Sequence, residues 1–131
     1  MNWVIKGTLA RSERPGYPSR YVEKNIVLLS IQYWKSHGIR SVICLMTSDE
    51  FLYYPYPDGD LLDLYHANDL IACIIPIENH KEHPLDESEM HAVWKAYQAV
   101  EKPVIIHCSA GKDRTGAAVQ LILEKRSANL S

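Results

Sequence analysis

A length of 131 residues, with 47% hydrophobic and 23% charged side chains, sets the frame of one ordinary globular domain spanning 1–131. The formal net charge of −2 excludes a general nucleic-acid binder, which needs a basic face, and no apolar run is long enough to cross a membrane. Neither nucleic acid nor a membrane is therefore an expected partner. Three cysteines, Cys44, Cys73 and Cys108, stand at wide spacing and match neither a disulfide framework nor a zinc pattern. The opening "MNWVIKGTLARS" has no basic leader, and Lys6 and Arg11 break its apolar run. A reducing, cytoplasmic compartment is expected.

In chain order, "SRYVEKNIVLLSIQYWKSHG" predicts a helix. Its apolar face is read as Val22, Ile26, Leu29 and Tyr33, with Gly38 just past its end. "SVICLM" (41–46) follows as a short buried strand, and "YYPYPDGD" (53–60) as a turn-rich loop. "LLDLYHAND" suits a short helix and "LIACIIPI" (70–77) the next strand. In "HPLDESEMHAVWKAYQAVEK", Asp86 stands at an N-cap with Glu89 three residues on, and Leu85 and Met90 are placed to staple that cap. Met90, Val93, Trp94, Tyr97 and Val100 form the apolar face of this helix. "PVIIH" (103–107) is a third core strand, and "TGAAVQLILEKR" opens the last helix.

Strands that alternate with helices, and are apolar throughout, predict an α/β fold: a mainly parallel central sheet flanked by helices. Sites in such sheets lie at the carboxyl ends of strands, where Cys108 falls.

The loop after that strand, "HCSAGKDRTG", carries the chemistry. A helix starting near Thr115 turns its free N–H groups and positive dipole end toward the loop. The amides of Ser109, Ala110, Gly111, Lys112 and Asp113 are placed to converge on one anion. Gly111 and Gly116 permit backbone angles and close approach. Arg114 adds a planar fork for two phosphate oxygens. This is a phosphate-binding loop between a core strand and a helix, with a cysteine at its base. The same positive field favours thiolate over thiol, so Cys108 is the candidate nucleophile. Thr115 is placed to donate its hydroxyl to the sulfur when it leaves, and His107 to brace the loop.

"HCSAGKDRTG" resembles the signature of cysteine-dependent protein tyrosine phosphatases, in particular their small dual-specificity-like and bacterial branches. "GTLARSERPGY", "SVICL" and "IPIENHKEHPL" resemble that family's N-terminal segment, second strand and general-acid loop. The resemblance implies a phosphatase that works through a phosphocysteine, with no cofactor and no metal. It implies phosphotyrosine substrates, with phosphoserine and phosphothreonine beside them. Partners would be phosphorylated proteins or small aryl phosphates, and phosphate-like oxyanions would bind. In some relatives a cysteine at the place of Cys44 forms a reversible disulfide with the nucleophile.

The sequence departs from the family at the acid. Asn79 stands where the family's aspartate is expected, and an amide cannot supply a proton as an acid does. Glu78, Glu82 and Asp86 are the substitutes at hand; Glu82 lies on the loop, while Asp86 is committed to its helix cap. Asn79 also leaves open a weakly active, phosphate-binding pseudophosphatase. Lys112 leaves open a phosphoinositide phosphatase, although Ser109 stands where such enzymes carry a second lysine. His80, His83 and His91 lack the helical pairing of zinc motifs and read as loop and surface residues.

Overall fold

The computed structural model describes residues 1–79 and 85–130. His80, Glu82 and His83 lie outside the described residues. Ten elements follow one another: β1 (Asn2–Ile5), β2 (Leu9–Ser12), α1 (Lys24–Ser36), β3 (Ser41–Cys44), α2 (Ser48–Phe51), α3 (Leu61–Ala67), β4 (Ile71–Ile74), α4 (Glu87–Ala99), β5 (Val104–His107) and α5 (Asp113–Leu130). Among the described residues they build one five-stranded sheet in the order β1-β2-β5-β3-β4. Only β1 runs antiparallel, paired to β2 at the edge. The expected α/β architecture is therefore present, with one antiparallel strand that continuous apolar runs could not announce. Among the described residues no helix is long and apolar enough to cross a membrane.

The pleat sorts the core strands onto two faces. Val42 and Ile105 pack with Val27, Ile31 and Trp34 of α1 and with Leu61, Leu64 and Tyr65 of α3. Ile43, Val104 and Ile106 pack with Val93 and Tyr97 of α4 and with Ala118, Leu121 and Ile122 of α5. The central strand β5 is buried at every position and pairs in parallel with β2 on one side and β3 on the other. Its carboxyl end is thus held by strands on both sides.

The Asp86 cap and the Gly38 helix end read from the sequence are both present. The Asp86 carboxylate accepts from the Glu89 amide at 2.8 Å, and Glu89 returns the bond to the Asp86 amide at 3.0 Å. Gly38 adopts φ +85°, and its amide donates to the Lys35 carbonyl at 2.9 Å as the chain leaves α1. The apolar face assigned to α1 is corrected. Ile26, Leu29 and Tyr33 are exposed, whereas Val27, Ile31 and Trp34 are buried. Val22 is buried too, but it precedes the helix, and its amide donates to the Tyr53 carbonyl. Ile26 to Trp34 is apolar on two stripes at helical spacing, and the stripe that carries the tryptophan removes more area from water. The last helix begins at Asp113, two residues before the expected Thr115.

Candidate active site

Cys108 follows β5 directly, and α5 starts five residues later. Cys108 and Arg114 are each 2% exposed, and Thr115 is fully buried, yet Cys108 and Arg114 line an open pocket of about 500 Å³. The chain therefore brings the expected nucleophile and arginine together at the base of one cavity. Ser109, Ala110 and Asp113 line it as well. Lys112 is exposed and outside the lining, so its side chain does not face a bound group there. Asn79, five residues after β4, lines the same pocket.

Gly111 shows why the loop needs a glycine. It adopts φ +74°, and a Cβ there would sit 2.5 Å from the Ser12 carbonyl oxygen and 2.7 Å from the Glu13 amide nitrogen. Both are backbone atoms that cannot yield. The expectation for Gly116 is corrected. It lies inside α5, and a Cβ there would meet only the Arg11 guanidinium at 3.5 Å, an ordinary contact.

Three residues that the sequence did not single out hold the loop. The Glu50 carboxylate accepts from both terminal nitrogens of Arg114, at 2.6 and 2.8 Å. Arg114 Nη1 also donates to the carbonyls of Leu45 at 3.3 Å and Ile77 at 3.0 Å. With those nitrogens committed, Nε has no hydrogen-bond partner among the described residues although it is buried, and the same holds for Thr115 Oγ1. Burial pushes the Glu50 carboxyl up, but the hydrogen bonds and charge of Arg114, with Thr47, bring it below the usual carboxylate value. Burial pulls Arg114 down, and Glu50 and then Cys108 more than offset it, so the guanidinium stays charged. The second such residue is Arg11, which donates to the Gly111 carbonyl at 2.9 Å. The third is Arg14, whose Nε donates to Ser109 Oγ at 2.9 Å. The cap that places Glu50 was visible in "TSDE" as Thr47 with Glu three residues on. Arg11 and Arg14 lie in the "GTLARSERPGY" stretch, but no spacing within it marked either as a partner of the loop.

His107 braces the loop as expected, by a route the sequence did not reveal. Burial pushes its ring down to about 4, so it is neutral near pH 7. Its Nδ1 lies 3.0 Å from the Cys108 carbonyl and can only donate there. Nε2 must then accept, and the Tyr65 hydroxyl of α3 donates to it at 2.7 Å. Cys44 is buried on β3 and Cys73 half-buried on β4. Burial pushes the Cys44 thiol up to about 12, and its side chain packs in the α1–α3 cluster, whereas Cys108 packs in the α4–α5 cluster. His91 is exposed on α4.

Fold and signature loop together carry a resemblance to the cysteine-dependent protein tyrosine phosphatase superfamily. Residues 75–126, which include β5, the loop and most of α5, match the model of the tyrosine phosphatase family. Among solved structures, the chain is similar to kinase associated phosphatase with its catalytic-site cysteine replaced by serine. The TM-score is 0.70 at 23% identity, over 89% of this chain and 65% of that one. It is also similar to the core catalytic domain of the PP-IP phosphatase SIW14 from S. cerevisiae, solved with citrate. There the TM-score is 0.62 at 15% identity, over 92% of this chain and 62% of the other. The chain thus spans just under two thirds of each. No curated protein sequence matches it.

Proposed function

We propose that the chain hydrolyses phosphate monoesters through a phosphocysteine on Cys108, with phosphotyrosine-type aryl esters as its substrates. The observation that carries this is Arg114 Nε, buried and without a hydrogen-bond partner among the described residues, on a side chain that lines an open pocket with Cys108; Thr115 Oγ1, next in the chain, is buried and unpartnered among them too. Such an orphan costs about 1–3 kcal/mol, which an oxyanion in the cradle would remove for the arginine and the sulfur for the threonine.

The Cys108 thiolate attacks phosphorus; the S–P bond forms, the ester O–P bond breaks, and the leaving oxygen takes a proton. Water then attacks phosphorus, the S–P bond breaks, and inorganic phosphate leaves as the thiolate returns. Arg114, the loop amides and the α5 dipole stabilise the charge on the equatorial oxygens in both steps. Tyr17 and Tyr53 line the pocket and give it an aromatic wall that suits an aryl ester. Of the loop tyrosines, Tyr54 is instead core, and the Tyr56 hydroxyl donates to the Val22 carbonyl at 2.6 Å.

The proton for the leaving oxygen needs an acid. Asn79 cannot supply it, and Glu50 is ionised against Arg114. Among the described lining residues the remaining carboxyl is Asp113, at the start of α5, which takes this role in the proposal.

A second reading rests on Arg14 and Arg20, which line the same pocket and favour a substrate with more than one phosphate. Likeness to a PP-IP phosphatase agrees with it.

Turnover of an aryl phosphate by the parent and by Cys108→Ser tests the mechanism. The parent should turn over, and Cys108→Ser should lose at least about 10³-fold while still binding oxyanions. Equal rates would sink it. An inactive parent that binds phosphate would establish the pseudophosphatase instead.

A further inference from the structure

Arg14 is a guanidinium in an unusual position. The residue is 2% exposed, and among the described residues no carboxylate pairs with it. Its Nε donates to Ser109 Oγ at 2.9 Å, and Nη1 donates to the Tyr54 hydroxyl at 3.3 Å. That hydroxyl spends its own proton on the Pro15 carbonyl at 2.7 Å, so it offers the arginine only a neutral lone pair. The rings of Tyr53, Tyr17 and Tyr54 surround the cation, with centroids 4.6, 5.5 and 5.9 Å from Cζ. Aromatic faces offset part of the desolvation of a cation, but they do not neutralise it. The side chain borders the Cys108 pocket, and Arg20 borders it too. Ser109, which Arg14 holds, is the residue after the nucleophile.

We propose that Arg14 and Arg20 form a second anion position on the wall of the Cys108 pocket, which binds a second phosphoryl group of the substrate. This rests on the phosphatase reading of the pocket and deepens it: the preferred substrate carries two phosphates close together. The first lies in the cradle over Cys108 under Arg114. The second meets the buried Arg14 guanidinium, which holds the residue after the nucleophile, and the exposed Arg20 on the same wall. The shared chemistry has two sources, a bridged or vicinal bisphosphate of a small molecule, or a phosphorylated residue beside a phosphotyrosine. Lys112, which the sequence offered for this purpose, lies outside the pocket lining.

Calorimetric titration of the full chain carrying Cys108→Ser with inorganic phosphate and with pyrophosphate reads the second position without turnover. Pyrophosphate should bind at least about tenfold tighter than phosphate, or about 1.4 kcal/mol. Adding Arg14→Gln should bring the ratio of the two constants close to one. The ratio is taken within one variant, so a general loosening of the loop cancels. Should Arg14→Gln not melt cooperatively, Arg14→Lys keeps the charge and stem but loses the fork, and should cut the ratio at least about threefold. A ratio near one in Cys108→Ser, or a ratio untouched by the Arg14 changes, overturns the second position alone. Binding of neither anion overturns the cradle with it. In the active chain, kcat/KM for a vicinal cyclitol bisphosphate and for a doubly phosphorylated peptide, each against its monophosphate, separates the sources. The true source shows an advantage that Arg14→Gln removes, and no advantage in either pair refutes the proposal.

Discussion

Gly111 is the position where a single carbon decides the loop. A Cβ would press on the Ser12 and Glu13 backbone at 2.5 to 2.7 Å, and φ is +74°. Gly111→Ala therefore moves the loop away from β2, and strain of about 1–3 kcal/mol falls on the cradle itself. The expected outcome is a lower melting temperature together with at least about a tenfold loss of kcat/KM on an aryl phosphate. Gly116→Ala is the control. It has ordinary room within a helix and should be neutral or stabilising by up to about 1 kcal/mol. His107 supplies a pH prediction. Its folded pKa, about 4, lies below the usual 6.5, so between those values the unfolded chain binds a proton that the folded chain does not. Stability from this residue is complete above pH 6.5 and is lost as pH falls toward 4. Between pH 7 and pH 5 the loss should be about 2 kcal/mol in urea unfolding. Ring nitrogen shifts that show His107 charged in the folded chain at pH 5 would contradict it.

At the scale of elements, α1 and α2 show how packing selects among patterns the sequence leaves equal. Helix α1 has two apolar stripes, and the one with Val27, Ile31 and Trp34 is buried in the core. Ile31→Ala should cost about 2–5 kcal/mol, because the cavity it opens is lined by fixed neighbours. Leu29→Gln, on the exposed stripe, should change stability by less than about 0.5 kcal/mol. Comparable losses from both would mean that the exposed stripe is covered in solution. Helix α2 is a single turn, too short to be announced by periodicity. Its capping box orients Glu50 to meet Arg114 across 64 residues of sequence. The arginine fork thus depends on an element that carries almost no core.

Across the whole molecule, the pocket draws residues from four separate stretches: Arg14 to Arg20, Thr47 to Tyr53, Asn79, and the loop with Asp113 and Arg114. The source of the leaving-group proton is a question at this scale. With Asp113 as the acid, Asp113→Asn should lower kcat by about 10²–10⁴-fold on alkyl phosphates and far less on aryl phosphates with acidic phenols. Asn79→Asp should then add little. A large gain from Asn79→Asp with a mild Asp113→Asn would return the acid role to position 79.

The signature loop and the α/β order were legible because their causes are local. Four apolar residues before Cys108, the positive-φ glycine at 111 and the α4 capping box each act within a few residues of the chain. The sequence by itself thereby determined which strand ends at the cradle and which side chains flank it. The partners of those side chains were not legible. Glu50 on Arg114, Tyr65 on His107 and Arg14 on Ser109 join positions 42 to 95 residues apart. A lone glutamate, tyrosine or arginine has no spacing that reveals such a match. Only the tertiary structure decided them, because the parallel register of β2, β5 and β3 carries the stretches that follow β2 and β3 to the carboxyl end of β5. Burial there makes an unmatched charge costly, so the fold must supply either a counter-ion, as it does for Arg114, or an opening to the pocket, as it does for Arg14.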